Sequence, residues 1–501
     1  MRAAAGGRGP HAAISMTAAT ERPTRPRQMY IGGQWCDAAD GSTMVSLDPA
    51  TEEPIGTVPV AAQADVDRAV AAAATAAPEW GDRPWPERAA ALRALAERID
   101  AAAEELAALD TADAGLPING SRGDIRSAAN EIRYFAGLGG EAKGATLPST
   151  PAQLAMSQRE PYGVVGRIVP FNHPFKFAAG KCAAPLMAGN AVVLKPAEHT
   201  SLSALRFAEL ATGLLPPGVL NVVTGPGRVG AALVEHPQVE RIAFTGSVPT
   251  GRAVLRGAAD HIKHVTLELG GKNPMIVFPD ADPRRAAAGA VAGMNLRRSM
   301  GQSCQSNSRV LVHRSIRETF LAELVEQVNA LTVGDPHDEA TDLGPLAFRE
   351  HYERVTRYVA LGVEQGARLV AGGGRPAGLD RGHYLQPTVF ADVTRDMTIA
   401  TEEIFGPVMA VLDWQDEDEM VELANAVDYG LTANIWTDDL HRAHRTARRL
   451  QAGTVWVNGT GRKPLGTPFG GYKHSGLGTE SSLEELLSYT RLKSVVVNLR
   501  Q

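Results

Sequence analysis

Val164-Val165-Gly166-Arg167-Ile168-Val169-Pro170-Phe171-Asn172-His173-Pro174 is the stretch on which the fold of this chain turns. A short apolar run stops at a proline, and an asparagine held between prolines follows. The arrangement recurs downstream: short apolar runs at 191–194, 219–223, 241–244 and 265–267, most of them closed by Pro, Lys, Thr or Glu. Helical spacing follows several, over 201–215 after the second run and 231–235 after the third. Strand, turn, helix, strand at this pace predicts an α/β fold with a parallel sheet of βαβ units. Such sheets bind ligands at the carboxyl ends of their strands. Asn172, Lys195, Thr224, Thr245 and Glu268 all fall at those ends.

Outward from this sheet, residues 62–78 and 87–112 are rich in Ala, Leu, Glu and Arg with helical periodicity. From about 274 a second α/β region begins, with strands near 274–278, 310–313 and 408–414 and helices over 315–331 and 348–365. A helix over 482–487 leads into a strand over 491–499. Residues 145–160 alternate mildly and are rich in Thr, Ser, Pro and Gln, as expected of a hairpin excursion. The first 27 residues carry no acid before Glu21, a composition shared by transit peptides and disordered extensions. Pro10, Pro23, Pro26 and a second possible start at Met16 favour the extension.

A chain of 501 residues exceeds one core, so two or three domains are expected. Apolar residues at 44% and charged residues at 21% give a globular balance. The net charge of −6 speaks against nucleic acid or an anionic membrane as partner. No apolar run is long enough to span a membrane. The three cysteines, Cys36, Cys182 and Cys304, form neither a disulfide framework nor a metal-site pattern. These features predict a cytoplasmic protein without a structural metal.

Cys304 lies in Met300-Gly301-Gln302-Ser303-Cys304-Gln305, and Glu268 in Leu267-Glu268-Leu269-Gly270-Gly271-Lys272. A thiol and a carboxylate in small-residue loops read as a nucleophile and its base, acting on a carbonyl carbon. A lone cysteine also reads as a small buried hydrophobe. Asn172 is a candidate donor to a developing oxyanion. His173 is either a base for Cys304 or a tunnel-facing histidine, and Glu268 makes the base reading unnecessary. Lys195 and Glu198 straddle a strand end and could hold a ribose, or simply pair on the surface. Residues 225–230 read Gly-Pro-Gly-Arg-Val-Gly, a dinucleotide-type glycine pattern, yet the acidic residue expected about 20 positions on is Thr245. A tight βα turn explains the pattern equally. Phe244-Thr245-Gly246-Ser247-Val248-Pro249-Thr250-Gly251 is a second glycine-flanked turn, whose helix start could hold a pyrophosphate.

Taken in order, these motifs resemble the aldehyde dehydrogenase superfamily, of the NAD(P)-dependent, hydrolytic, non-acylating type. The resemblance covers roughly residues 28–500. It rests on Pro-Phe-Asn-His-Pro, Lys-Pro-Ala-Glu, Phe-Thr-Gly-Ser-x-x-x-Gly, Leu-Glu-Leu-Gly-Gly-Lys and Gly-Gln-Ser-Cys. Glu402-Glu403-Ile404-Phe405-Gly406-Pro407 and Pro468-Phe469-Gly470-Gly471-Tyr472-Lys473-His474-Ser475-Gly476 complete it. The family implies that Cys304 attacks an aldehyde, that Asn172 and the Cys304 amide hold the oxyanion, and that Glu268 activates the water that hydrolyses the thioester. Glu480 matches a proton-relay acid, and Lys181 a lysine that backs the asparagine. For the cofactor, Gly246, Ser247 and Gly251 take the pyrophosphate turn, with Phe244 and Leu269 beside it. Lys195 and Glu198 match the adenosine ribose site, Glu403 and Phe405 the nicotinamide side, and Gly225 flanks the adenine. A carboxylate at Glu198 favours NAD over NADP, because it repels a 2′-phosphate.

Departures from the family concern the substrate. Phe171 stands for the usual Trp and His173 for a common Phe. Gly180 stands for a large aromatic, and Ser303 and Gln305 for more frequent Cys, Thr or Val. With Phe177, Trp456 and Phe469, these positions imply a wide, polar tunnel for a medium or bulky aldehyde, aromatic or polar-substituted. Glu268 argues against a CoA-acylating semialdehyde dehydrogenase, and the full catalytic set against a silent binding or structural homologue. The resemblance also implies a cofactor domain (28–144 and 161–267), a catalytic domain (268–480) and an oligomerisation element (145–160 and 481–501). A homodimer or homotetramer follows from that element, hiding strand edges.

Overall fold

The computed structural model describes residues 27–461 and 463–499. The extension expected over 1–27 lies outside them, apart from Arg27. Eight strands form the first sheet, in the order Gln34–Cys36, Met29–Ile31, Leu220–Val222, Ala191–Lys195, Val164–Ile168, Arg241–Thr245, His264–Glu268, Gly476–Leu477. The five strands from Leu220–Val222 to His264–Glu268 are parallel, as the βαβ reading requires, and the outer ones are antiparallel.

The apolar runs are unbroken because both faces of these strands are covered. Successive side chains point to opposite faces. Val192 and Leu194 join one core with the helices Trp85–Ala101, Ala103–Ala114 and Ile118–Gly137. Ala191 and Val193 join another with the helices Gln63–Asp82, Gly227–Glu235 and Val248–Ala259. The single helix expected over 87–112 is two helices that break at Ala102. Strand order reverses on either side of Val164–Ile168: later strands up to Leu220–Val222 lie to one side, Arg241–Thr245 and His264–Glu268 to the other. The crevice for a ligand therefore opens where Asn172 and Gly246 leave their strands.

The second sheet has seven strands, in the order Arg368–Ala371, Thr388–Ala391, Val408–Trp414, Arg309–His313, Pro274–Val277, Thr432–Trp436, Thr454–Val457. All pair in parallel except Arg368–Ala371. Its core is separate from those of the first sheet. The strand Gly476–Leu477 returns from this half of the chain to the first sheet, so residues 468–480 cross back over the site. The excursion expected over 145–160 carries the strand Gln153–Pro161, which pairs antiparallel with Thr490–Asn498 along its whole length. Among the described residues no helix is long and apolar enough to cross a membrane.

Candidate active site

Cys304 sits in a loop between the short helix Leu296–Ser299 and the strand Arg309–His313. Met300 and Gly301 both take positive φ, 53° and 73°, to turn the chain inward. A side chain at Gly301 would strike the Gly406 carbonyl at 2.4 Å, so only glycine fits. Asn273 clamps the loop: its Nδ2 donates to the Cys304 carbonyl (2.8 Å) and to the Ser306 carbonyl (2.9 Å). The sequence reading passed over Asn273, whose only local signal is its place after Lys272. Gly271 lets that loop come close, since a Cβ there would lie 2.5 Å from the Cys304 carbonyl oxygen. Gly270 does the same for Glu403, whose Oε2 would lie 2.1 Å from its Cβ.

Two cavities meet at this point. One, of about 590 Å³, is a groove lined by Asn172, Gly246, Ser247, Leu269, Glu403 and Phe405 among others. The other, of about 360 Å³, is a tunnel lined by His173, Lys176, Phe177, Ser303, Gln305 and Phe469 among others. Four residues belong to both walls: Cys304, Glu268, Thr245 and Phe177.

Burial works against the charged forms of Cys304 and Glu268 on this shared wall. Burial, then the nearby Glu403 and Glu268 carboxylates, push the Cys304 thiol up to about 12. Glu268 ends the strand His264–Glu268, is 4% exposed, and has no hydrogen-bond partner among the described residues on either carboxylate oxygen. Burial, then repulsion from Glu480, raises it well above the usual carboxylate range. Glu480 behaves in the opposite way. Burial alone would raise it, but Arg167 (2.9 Å) and Lys181 (2.6 Å) bring it down to about 2. Two backbone hydrogen bonds tie Glu480 to Phe469, and both residues line the tunnel. Asn172 donates one amide N–H to the Gln302 carbonyl at 2.8 Å, so its head group is fixed beside the Cys304 loop.

On the tunnel side, His173 bonds Asp124 through Nδ1 at 2.5 Å, and Asp124 also binds Arg298. Burial holds the imidazole pKa down against the pull of Asp124. This is the tunnel-facing histidine, engaged away from Cys304. Lys176 to Gly180 form a π-helical turn, an irregularity common at functional sites. Gly180 does not face the tunnel: the space beside it is taken by Glu131 of the helix Ile118–Gly137, whose Oε2 lies 2.4 Å from where a Cβ would stand. The opening expected from a missing aromatic is thus filled by a carboxylate. Trp456 lies on the strand Thr454–Val457, opposite Asn434 in the second sheet, and is on neither wall.

On the groove side, Gly246 follows the strand Arg241–Thr245 and packs on the Phe244 ring, which a Cβ would meet at 2.4 Å. The helix Val248–Ala259 begins here with Ser247 as its cap. Its positive end faces the groove, where a pyrophosphate would be stabilised. A Cβ at Gly251 would come within 2.8 Å of Leu269, so glycine brings helix and strand end together. Lys195 and Glu198 pair at 3.5 Å at the end of the strand Ala191–Lys195, beyond the groove's own walls. Gly225 (φ 140°) turns the chain after the strand Leu220–Val222 and packs on Val229, a tight βα turn. Glu403 accepts from the Gly271 amide at 2.8 Å, and burial raises it to about 7. Phe405 takes a φ of 61°, uncommon for an aromatic residue, and its carbonyl binds His351 at 2.7 Å. Phe348 and His351 complete an aromatic wall with Phe171 that no local pattern announced.

A cysteine loop, a buried carboxylate and two cavities that share them belong to a recognisable architecture. Residues 35–495 match the model of the aldehyde dehydrogenase family. The chain belongs to the aldehyde dehydrogenase family. It is 45% identical over 473 residues to betaine aldehyde dehydrogenase 1 of Rhizobium meliloti, covering 94% of this chain and 97% of that protein. The NAD+ complex of an aldehyde dehydrogenase from Bacillus cereus superposes with a TM-score of 0.92 at 41% identity, covering 95% of this chain and 97% of that one. Betaine aldehyde dehydrogenase from Staphylococcus aureus in complex with NAD+ gives 0.92 at 35% identity, with 95% of each chain covered. The fold is therefore the aldehyde dehydrogenase fold, and the protein is an oxidoreductase that oxidises aldehydes.

Proposed function

We propose that this aldehyde dehydrogenase converts its aldehyde to the carboxylic acid by covalent catalysis on Cys304, with NAD as the electron acceptor. The observation that carries the reading is the shared wall: Cys304 and Glu268 face both the groove and the tunnel. The Cys304 thiol passes its proton to water as the sulfur adds to the aldehyde carbon, and the carbonyl oxygen is left as an oxyanion. The free N–H of the Asn172 amide and the Cys304 backbone N–H stabilise that charge. When bound, NAD supplies the acceptor for the aldehyde hydrogen, which leaves as hydride. The carbon then remains on Cys304 as a thioester, which is reactive towards water. Glu268, once ionised, takes a proton from that water as its oxygen attacks the carbonyl carbon. The acid departs and the thiol is restored. Per turnover, one aldehyde, one NAD+ and one water yield one carboxylate, one NADH and two protons. Lys181 and Arg167 keep Glu480 ionised behind Glu268, in a place to relay its proton onward.

The groove fits the cofactor at the capped helix at Ser247, the glycine cradle at Gly246 and Glu403 for one ribose, and the Lys195–Glu198 pair beyond its walls fits the other ribose. Glu198 makes NAD the preferred form over NADP. The tunnel volume of about 360 Å³ suits a medium or bulky aldehyde. The protein works as a homodimer or homotetramer through the paired strands Gln153–Pro161 and Thr490–Asn498, which leave Leu492 and Val496 exposed. Three free cysteines suit a cytoplasmic setting. The division into cofactor, catalytic and oligomerisation parts is read with these roles.

Product analysis tests the reading. With NAD and an aldehyde, acid and NADH should form in equal amounts without CoA. An acyl-CoA product that depends on added CoA would refute the hydrolytic assignment.

A further inference from the structure

The tunnel carries more positive charge than its chemistry uses. Five cationic side chains line it: Lys176, Lys181, Arg297, Arg298 and Lys463. Three are engaged by carboxylates, Lys181 by Glu480, Arg298 by Asp124 and Arg297 by Asp342. Among the described residues no carboxylate forms an ion pair with Lys176 or Lys463. Glu131 on the wall acts on both, and Asp124 on Lys176, from beyond ion-pair range, while Lys463 donates a hydrogen bond to the Thr467 carbonyl at 3.3 Å. Glu268 also lines the tunnel, but burial favours its neutral form.

Their positions matter as much as their number. The Lys176 ammonium lies 5.9 Å from the centre of the Phe177 ring, and the Lys463 ammonium 4.3 Å from that of Phe469. Those two rings line the tunnel together with Cys304. A quaternary ammonium substrate needs free aromatic faces. Here each ring already has a cation over it, and a second cation would meet repulsion as well. An anion meets the reverse situation: two ammonium groups in a largely desolvated tunnel, each short of a counter-charge.

Resting on the reading of an aldehyde-oxidising tunnel, we propose that this enzyme selects an aldehyde whose far end carries a carboxylate, held by Lys176 and Lys463. The substrate class is thus the semialdehydes, with the reacting carbonyl at Cys304 and the carboxylate towards the lysines. Burial lowers the Lys463 ammonium to about 8 and lowers Lys176 too, so an anionic ligand would relieve the cost of keeping both charged.

The test compares kcat/KM at pH 7, with NAD, for four- to six-carbon semialdehydes, the alkanals of the same length, and betaine aldehyde. The semialdehyde that fits should exceed its matched alkanal by about tenfold or more, the gain expected from a charge-assisted contact. Betaine aldehyde should fall below both. Lys176→Met and Lys463→Met should each lower the semialdehyde-to-alkanal ratio by about tenfold, mainly through KM. Lys463→Glu should move the preference towards betaine aldehyde. A ratio near one at every length, a preference for betaine aldehyde, or a ratio that neither methionine variant changes would overturn the proposal. Oxidation of none of these aldehydes would instead overturn the aldehyde-oxidising reading on which it rests.

Discussion

The groove and the tunnel meet at one wall and are built from different materials. The groove, about 590 Å³, is made of glycine turns, a helix start and the aromatic cluster of Phe171, Phe348, His351 and Phe405. The tunnel, about 360 Å³, draws charged side chains from several distant segments, among them Glu131, the turn at Lys176, the pair Arg297 and Arg298, and the loop at Lys463. The groove is shaped by backbone, and little in it can change without moving a strand end. Side chains shape the tunnel, and any one of them can be exchanged on a fixed scaffold. On the proposed function, recognition of the common reactant is thus lodged in the chain path, and selection of the variable one in replaceable residues. The proposed chemistry sits on the wall that both share.

The comparison can be broken at the shared wall first. Cys304→Ala should lower kcat for every aldehyde by roughly 10⁴-fold or more, since no other group can form the covalent adduct. NADH formation in steady state measures it, and residual activity near wild type would remove Cys304 from the mechanism. Asn172→Ala takes away one oxyanion donor and should cost about 10²–10³-fold in kcat, with little change in the Km for NAD. On the groove side alone, Glu198→Ser should lower the NAD-to-NADP ratio of kcat/KM by about tenfold, by removing the carboxylate that repels a 2′-phosphate. An unchanged ratio would take Glu198 out of cofactor choice, while an effect on aldehyde selectivity would blur the separation of the two sides. The smallest effect is in the pH profile. Glu268 is raised by burial first and by Glu480 next, and works as a base only when ionised, so kcat should climb as pH rises above the usual carboxylate range. Lys463, at about 8, loses its charge as pH rises through that value, so the Km for a semialdehyde should climb, while that for an alkanal should not. A kcat that falls as pH rises from 6 to 9 would contradict the base role.

Much of the groove was legible in the sequence, and little of the tunnel. The strands Val164–Ile168 and Ala191–Lys195 are buried on both faces, so they show as unbroken apolar runs, and the polar residue that ends each run falls at the ligand crevice. Asn172, Lys195, Gly246 and Glu268 could therefore be placed before any coordinates. The glycine pattern at 225–230 matched a familiar fingerprint, yet its φ and packing are those of a turn. The strands Thr388–Ala391 and Thr432–Trp436 escaped notice because one is four residues long after Pro387 and the other carries Asn434 mid-run. Asn273, Phe348 and His351 act through contacts with residues far along the chain, which no local pattern encodes. The tunnel fails for the same reason on a larger scale: Glu131 fills the space beside Gly180 from a helix about 50 residues upstream, and Lys463 arrives from the other half of the chain. A glycine for an aromatic reads as an opening until the neighbour that occupies it is known.

The central claim is that acyl transfer to Cys304 and its hydrolysis by water are separate steps, with Glu268 serving the second. Glu268→Gln, mixed rapidly with NAD and an aldehyde, tests it most directly. The account predicts a burst of about one NADH per active site, then turnover slowed by roughly 10²–10⁴-fold, with the acyl mass found on the Cys304 peptide. No burst and no adduct, or full steady-state turnover in the variant, would contradict it.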